Sequence, residues 1–174
     1  TFNFTGGNMT IDATGSGGGF VATGGGTVNV TGSGNHIATT TGTALNISNT
    51  TIGASDVTFQ DISANGAVNG IVLNNTGSSG GLIVTGTGST DGSGGTIQST
   101  TGRGASFINT SDVSLSNMNF TNAGTTDLDA DNSGLSTGDN LATNAAIHLQ
   151  TVTTVSLDNI NISGGAEQGI NGNT

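Results

Sequence analysis

The densest group of candidate metal ligands is an acidic segment in the last third of the chain. Asp127, Asp129 and Asp131 stand at alternate positions, and Asn132 follows directly. Oxygen ligands at this spacing are typical of the first half of a calcium loop, in which positions 1, 3 and 5 bind one ion. Asp139 would supply a further carboxylate. The segment therefore makes calcium the one cofactor that the sequence predicts.

The match to a calcium loop is incomplete. Asn132 stands where such loops usually have Gly, and Gly138 stands at the position of the bidentate Glu. The alternative is an acidic, solvated insertion, at about residues 124–143, whose charges repel one another. A hard cation would offset this repulsion and order the segment, so the sequence leaves both interpretations open.

His148 follows the acidic segment and is the second candidate for chemistry. Because the acidic insertion precedes it, an Asp and His pair could form a carbohydrate-binding or carbohydrate-processing site. The nearest basic group in the sequence is Arg103, which we expect in the corner of a neighbouring coil. A polysaccharide lyase, however, needs a strong base and several cations, and a hydrolase needs two carboxylates at a defined separation. The chain has one Arg, no Lys, no Trp and no Tyr, so we expect it not to be an enzyme. His36 is interpreted as a corner residue and not as a ligand.

The charge balance excludes other classes of partner. Eleven acidic residues face one basic residue, and the net charge is −10. Such a chain cannot neutralise a run of phosphates on nucleic acid or on an anionic membrane. No stretch reaches the roughly 18 consecutive apolar residues of a transmembrane helix. We therefore expect neither nucleic-acid binding nor membrane insertion.

A repeat of short strands supplies the elements that must position these residues. The stretches Val57–Ala64, Val113–Phe120 and Val155–Ile162 alternate apolar and polar residues, with an interruption of two polar residues. Alternation with period two is the spacing of a strand. The second residue of the interruption is Asp61, Asn117 or Asn159. Asn and Asp tolerate a left-handed backbone, so we expect a tight bend there.

The same spacing between strand starts recurs along the chain and extends the repeat to three series of strands. The first series begins at Phe20, Leu45, Ile71, Ala105, Ile147 and Ile170. The second begins at Phe2, Val28, Val57, Leu82, Val113 and Val155. The third begins at Met9, Ile37, Ile62, Ile97, Met118 and Ile160. On the outer face of the first series, His148 is the only titratable side chain.

Strands this short are stable only when equivalent strands stack in parallel about 4.8 Å apart. Connections between parallel strands of one sheet are overwhelmingly right-handed. The sequence therefore predicts an all-β protein, a right-handed parallel β-helix or solenoid of about six coils with three short strands each. We expect a single domain over residues 1–174, as a segment of a longer chain.

The stretch Val113–Asn122 resembles the right-handed β-helix repeats of bacterial autotransporter passengers and large secreted surface adhesins. Phe120–Asn122, Asn144–Ile147 and Gly164–Ala166 are distantly similar to short signatures of polymorphic outer-membrane proteins. The resemblance covers nearly the whole chain. It implies architecture better than function, because the same fold carries enzymes, tailspikes, adhesins and plain stalks.

The first functional hypothesis is a structural segment of an extracellular or cell-surface protein: a shaft, an adhesin stalk or a filament module. The expected partners are other copies or flanking β-helix domains that stack on the open coil ends, together with surface glycans. The alternative is a carbohydrate-binding or carbohydrate-processing β-helix with a site near His148 and the acidic insertion.

Overall fold

A computed structural model describes residues 1–127 and 143–173. Within these ranges the chain forms sixteen strands and no helix. The strands are β1 (Phe2–Phe4), β2 (Thr10–Ala13), β3 (Phe20–Thr23), β4 (Thr27–Val30), β5 (His36–Thr39), β6 (Leu45–Ser48), β7 (Thr51–Phe59), β8 (Asp61–Asn65), β9 (Ile71–Asn74), β10 (Leu82–Val84), β11 (Thr96–Gln98), β12 (Ala105–Ser116), β13 (Asn119–Thr121), β14 (Ile147–Asp158), β15 (Asn161–Ser163) and β16 (Ile170–Asn173).

The strands form two sheets, and every strand pair in the described residues is parallel. A ten-stranded sheet has the order β1-β4-β7-β10-β12-β9-β6-β3, with β14 paired to β12 and β16 paired to β14. A six-stranded sheet has the order β15-β13-β11-β8-β5-β2. The prediction of an all-β protein built from stacked parallel strands is confirmed.

The first series of strand starts is found in the predicted register. We use the word column for residues that pair across successive strands. The column consists of Phe20, Leu45, Ile71, Ala105, Ile147 and Ile170, each paired with the next. From Leu45 to Ile147 these side chains are completely buried. The apolar spacing therefore predicted both the face and the register of these strands.

The second series departs from the prediction at one step. We expected Val28 to stack on Val57, but Val28 pairs with Ile52 and Val30 pairs with Val57. The register shifts between Val28 and Val30, because β7 is nine residues long and contains extra residues before Val57. One of these, Asp56, has a left-handed backbone with φ 62°.

The predicted third series is wrong in register at three steps. The observed pairs are Ile11 with Ile37, Ala64 with Ile97 and Ile97 with Phe120. The predicted starts Met9, Ile62 and Met118 therefore each lie two residues before the residue that forms the pair. A slip of two residues keeps the same side chains inward, because the side-chain period of a strand is two. The buried face was therefore predicted correctly although the pairing was not.

Apolar side chains from both sheets meet in one buried cluster. Its largest members include Phe59 and Leu45 from the ten-stranded sheet and Phe120 and Ile37 from the six-stranded sheet, all fully buried. Each such side chain contributes about 1.5–3 kcal/mol on leaving water. No single strand of three or four residues could shield these side chains, so the strands depend on their neighbours.

The chain bends at all three predicted interruptions, but the expected left-handed residue is found at only two of them. Asn117 and Asn159 have left-handed backbones with φ 58° and 51°, and the side-chain Nδ2 of Asn159 donates to Oδ1 of Asn117 at 2.8 Å. The prediction for Asp61 is wrong, since Asp61 is the first residue of β8 and has no positive φ. Its backbone is held extended by pairing with His36 of β5.

Candidate functional site around His148

His148 lies on β14 between two paired neighbours. Ser106 of β12 is its partner on one side and Asn171 of β16 is its partner on the other. Because side chains alternate along a strand, this column points away from the core that Ile147 enters. Neighbouring members are about 4.8 Å apart along the sheet. A hydroxyl, an imidazole and an amide are thus stacked on one face.

The imidazole of His148 is completely buried, with 0% of its surface exposed, although the sequence placed it on the outer face. Ser106 is also buried. Neither ring nitrogen of His148 has a hydrogen-bond partner among the described residues, and the same holds for Oδ1 of Asn171 and Oε1 of Gln168. A buried polar group without a partner costs roughly 1–3 kcal/mol. The site therefore retains unused hydrogen-bonding capacity.

Arg103, the single basic side chain of the protein, lies in the turn that leads into β12. Its Nη1 donates to Oγ of Ser106 at 3.2 Å, and its Nε donates to the carbonyl oxygen of Thr143 at 2.9 Å. Burial lowers the pKa of the guanidinium, and the charge of Glu167 offsets part of that change. Arg103 thus brings a cation to the hydroxyl that neighbours His148.

The flanks of the acidic segment meet beside Arg103. Thr143, whose carbonyl oxygen accepts the hydrogen bond from Nε of Arg103, is the first described residue after the segment. The next residue, Asn144, donates from Nδ2 to the carbonyl oxygen of Thr126 at 2.8 Å, and its backbone N–H donates to Oε2 of Glu167 at 3.0 Å. The structure thus brings the flanks of the predicted insertion and the Arg103 side chain together.

The electrostatic surroundings favour the neutral form of His148. Burial lowers the pKa of the imidazole below its ordinary value, and the charge of Arg103 lowers it further. The side chains of Gln150 and Asn171 offset part of this change, although neither is placed for a hydrogen bond of normal geometry. A neutral imidazole can accept a proton, but 0% exposure denies it direct contact with a substrate.

The open cavities that we describe lie elsewhere. One, of about 350 Å³, is apolar and is lined by Phe2, Phe4 and Phe20 beside β1 and β3. Another, of about 390 Å³, lies beside the parts of β7 and β12 that precede Val57 and Val113 and is lined by Asp56 and Asp112, among others. His148 lines neither of these two cavities.

The calcium hypothesis falls largely outside the described residues. Asp127 is described and is partly buried, whereas Asp129, Asp131, Asn132 and Asp139 lie outside the described ranges. Across residues 1–127 and 143–173 no group of three or more His, Cys, Asp or Glu side chains could hold a metal ion. Calcium binding by the acidic segment stays a prediction.

A cross-strand group around His36 was missed by sequence reasoning. Nδ1 of His36 makes a hydrogen bond with Oδ1 of Asp61, and Nε2 lies 3.3 Å from Oδ1 of Asp12. His36 is in β5, not at a corner. The signal was available, because the predicted stacking of Ile37 on Ile62 also places His36 beside Asp61. These side chains are partly solvated, and such pairs typically contribute about 0–1 kcal/mol.

No protein-family model, curated protein or solved structure matches the chain. Among the described residues there is also no helix long and apolar enough to cross a membrane.

Proposed function

We propose that the chain is a right-handed parallel β-helix that serves as a structural segment of an extracellular or cell-surface protein. In this role it is a shaft, an adhesin stalk or a filament module, as the resemblance to autotransporter passengers implies. The observation that carries the proposal is the uninterrupted column from Phe20 to Ile170, in which six strands stack in register.

Such stacking suits a shaft because each strand is held by its neighbours along the long axis. The interior column is apolar, while Gly, Asn, Ser and Thr make up most of the described residues between the strands. Ladder hydrogen bonds then run along the direction in which a shaft is loaded. The buried position of His148 and the single cation of the chain favour this non-enzymatic role over catalysis.

Small-angle scattering and negative-stain electron microscopy would test the architecture. Six coils stacked about 4.8 Å apart give a rod about 30 Å long for this segment. Duplicating the coil that Leu45 begins, from Leu45 to Gly70, should lengthen the particle by about one strand spacing and leave its cross-section unchanged. A longer particle with a wider cross-section would overturn the β-helix proposal.

Other copies or flanking β-helix domains are the proposed partners, stacked on the sheet edges. Phe2 and Phe4 are 72% and 44% exposed on β1, while Val155 and Ile170 are 37% and 49% exposed on β14 and β16. Apolar residues at both edges would be covered by an added coil.

Sedimentation velocity should detect self-association of the chain, and the variant Phe2→Asp should weaken it. The control is Val68→Asp, since Val68 is 65% exposed away from both edges; equal effects of the two variants would contradict edge stacking.

A carbohydrate-binding or carbohydrate-processing role is the second candidate. It is favoured by the concentration of Arg103, Ser106, His148 and Glu167 in one place, since sugar sites use convergent polar groups. Surface glycans would then be partners. A glycan array with the wild-type chain and Arg103→Gln separates the roles: binding that is lost in the variant supports this candidate, and no binding at all favours the plain shaft.

A further inference from the structure

We propose that His148 makes the neighbouring part of the ten-stranded sheet acid-labile, so that protonating this side chain releases β16 from β14. The inference concerns a conformational device in the fold and holds whether the segment is a shaft or a glycan-binding module. It stands on the burial of the ring, on its lack of hydrogen-bond partners and on the charge beside it.

Among the described residues, the charged side chains that act on His148 belong to elements packed against β14. Arg103 reaches the site from the turn before β12, and Glu167 lies in the turn before β16. The paired neighbours, Ser106 and Asn171, are uncharged. A protonated imidazole would therefore be a second cation beside Arg103. Among the described residues neither ring nitrogen makes a hydrogen bond of normal geometry there, and the side chains of Gln150 and Asn171 offset only part of the cost of protonation.

The sign of the effect follows from proton linkage. In the unfolded chain His148 has the ordinary pKa of about 6.5. In the folded chain burial and then Arg103 lower this pKa. Between the two pKa values the open state binds more protons, so the free energy of opening rises with pH. The stability due to His148 is fully present above about pH 6.5 and is lost as the pH falls towards the folded pKa.

Opening should be local, because the elements beyond His148 are the least buried. Ile147 and His148 are buried, whereas Ile170 is 49% exposed and the rest of β16 is at most partly covered. In the middle of the sheet, by contrast, Leu45 and Ile71 are fully buried. Regions with few buried apolar contacts open with the smallest free energies. Protonation at His148 therefore acts on the strand that is easiest to release.

Amide hydrogen exchange at pH 7.5 and pH 5.2, corrected for intrinsic exchange rates, tests the proposal. Protection of Ile147–Gln150 and Ile170–Gly172 should fall by up to about tenfold per pH unit below pH 6.5, while Leu45–Ile47 stays protected. Carboxylates ordinarily titrate below about pH 4.5, so this window reports on the histidines. His148→Gln should abolish the pH dependence, and the control His36→Gln should keep it.

Two results would overturn the proposal. One is an unchanged loss of protection at pH 5.2 in His148→Gln, which would assign the effect to another group. The other is equal protection of the wild-type chain at both pH values. If His148→Gln folds poorly, an NMR titration of the wild-type chain gives the pKa of the His148 imidazole instead. A pKa equal to or above the ordinary value of about 6.5 would refute the proposal.

Discussion

Asn75 stacks directly on Asn49, with its Nδ2 donating to Oδ1 of Asn49 at 3.0 Å. Asn109 continues the ladder by donating to Asn75 at the same distance. All three residues have left-handed backbones, with φ between 49° and 55°. Each lies at the same distance after the start of a first-series strand, so the Asn75 amide links three successive coils. The ladder thereby helps to keep these three positions in register.

Replacing Asn75 should therefore destabilise the fold more than its exposed position suggests. Asn75→Ala removes two amide hydrogen bonds and places a residue with a Cβ, less tolerant than Asn, in the left-handed region. We expect a loss of about 1–3 kcal/mol in the free energy of unfolding, measured by urea denaturation. Asn75→Gly should lose less, because Gly adopts this backbone freely. Asn65→Ala, at an exposed position, is the control; an equal effect there would contradict the ladder's role.

Gly81 lies at a close approach between neighbouring backbones. A Cβ at this position would lie 1.9 Å from the carbonyl oxygen of Asp112. Because that atom belongs to the backbone, β12 would have to move away from β10. Gly81→Ala should thus prevent folding or reduce stability by more than about 3 kcal/mol, as seen in thermal melts. Gly6→Ala, where a Cβ meets nothing within 4 Å, should melt like the wild type. Matching melting temperatures for both variants would contradict the close packing.

The hydroxyls of Thr76 and Thr110 form a buried hydrogen bond between adjacent turns. Thr76→Val should cost about 1–3 kcal/mol, because the Thr110 hydroxyl is left buried without this partner. The double variant Thr76→Val, Thr110→Val should be more stable than the sum of the single effects predicts, since both polar groups are gone. Chemical denaturation of the four proteins gives the coupling energy. A coupling near zero would show that the pair does not act as a unit.

Calcium binding by the acidic segment is tested by calorimetry on the whole chain. If Asp127, Asp129 and Asp131 bind one ion, titration should give heat with a stoichiometry near one and raise the melting temperature. Asp129→Asn combined with Asp131→Asn should remove both signals, whereas Asp91→Asn should retain them. Absence of heat together with an unchanged melting temperature would leave the solvated insertion as the correct interpretation.

Much of the fold could be predicted because apolar residues recur with strand periodicity. The alternation around Leu45, Ile71 and Ile147 predicts which side chains are buried, because the hydrophobic effect favours burial of the apolar face whichever strand pairs with it. The same alternation cannot distinguish registers that differ by two residues. This is why Ile97 was assigned to Ile62 and Met118, although it pairs with Ala64 and Phe120.

The candidate site was less predictable than the core. The sequence predicted a site near His148 and the acidic segment. In the structure the Arg103 side chain, which donates to Ser106 beside His148, also donates to Thr143 at the end of that segment. The sequence also placed His148 outside the core, which the pairing with Ser106 and Asn171 supports. Its complete burial could not be predicted, because a residue on the outer face of a strand is exposed or covered according to what packs above it.

By itself, the sequence determined the column from Phe20 to Ile170, the inward face of the strands and the sign of the overall charge. The tertiary structure decided the register at Val28 and Ile97, the burial of His148 and the meeting of His36 with Asp12 and Asp61. The physical reason is range. Hydrophobic alternation acts within a strand, whereas register, burial and pairing of charges depend on contacts between residues far apart in the chain.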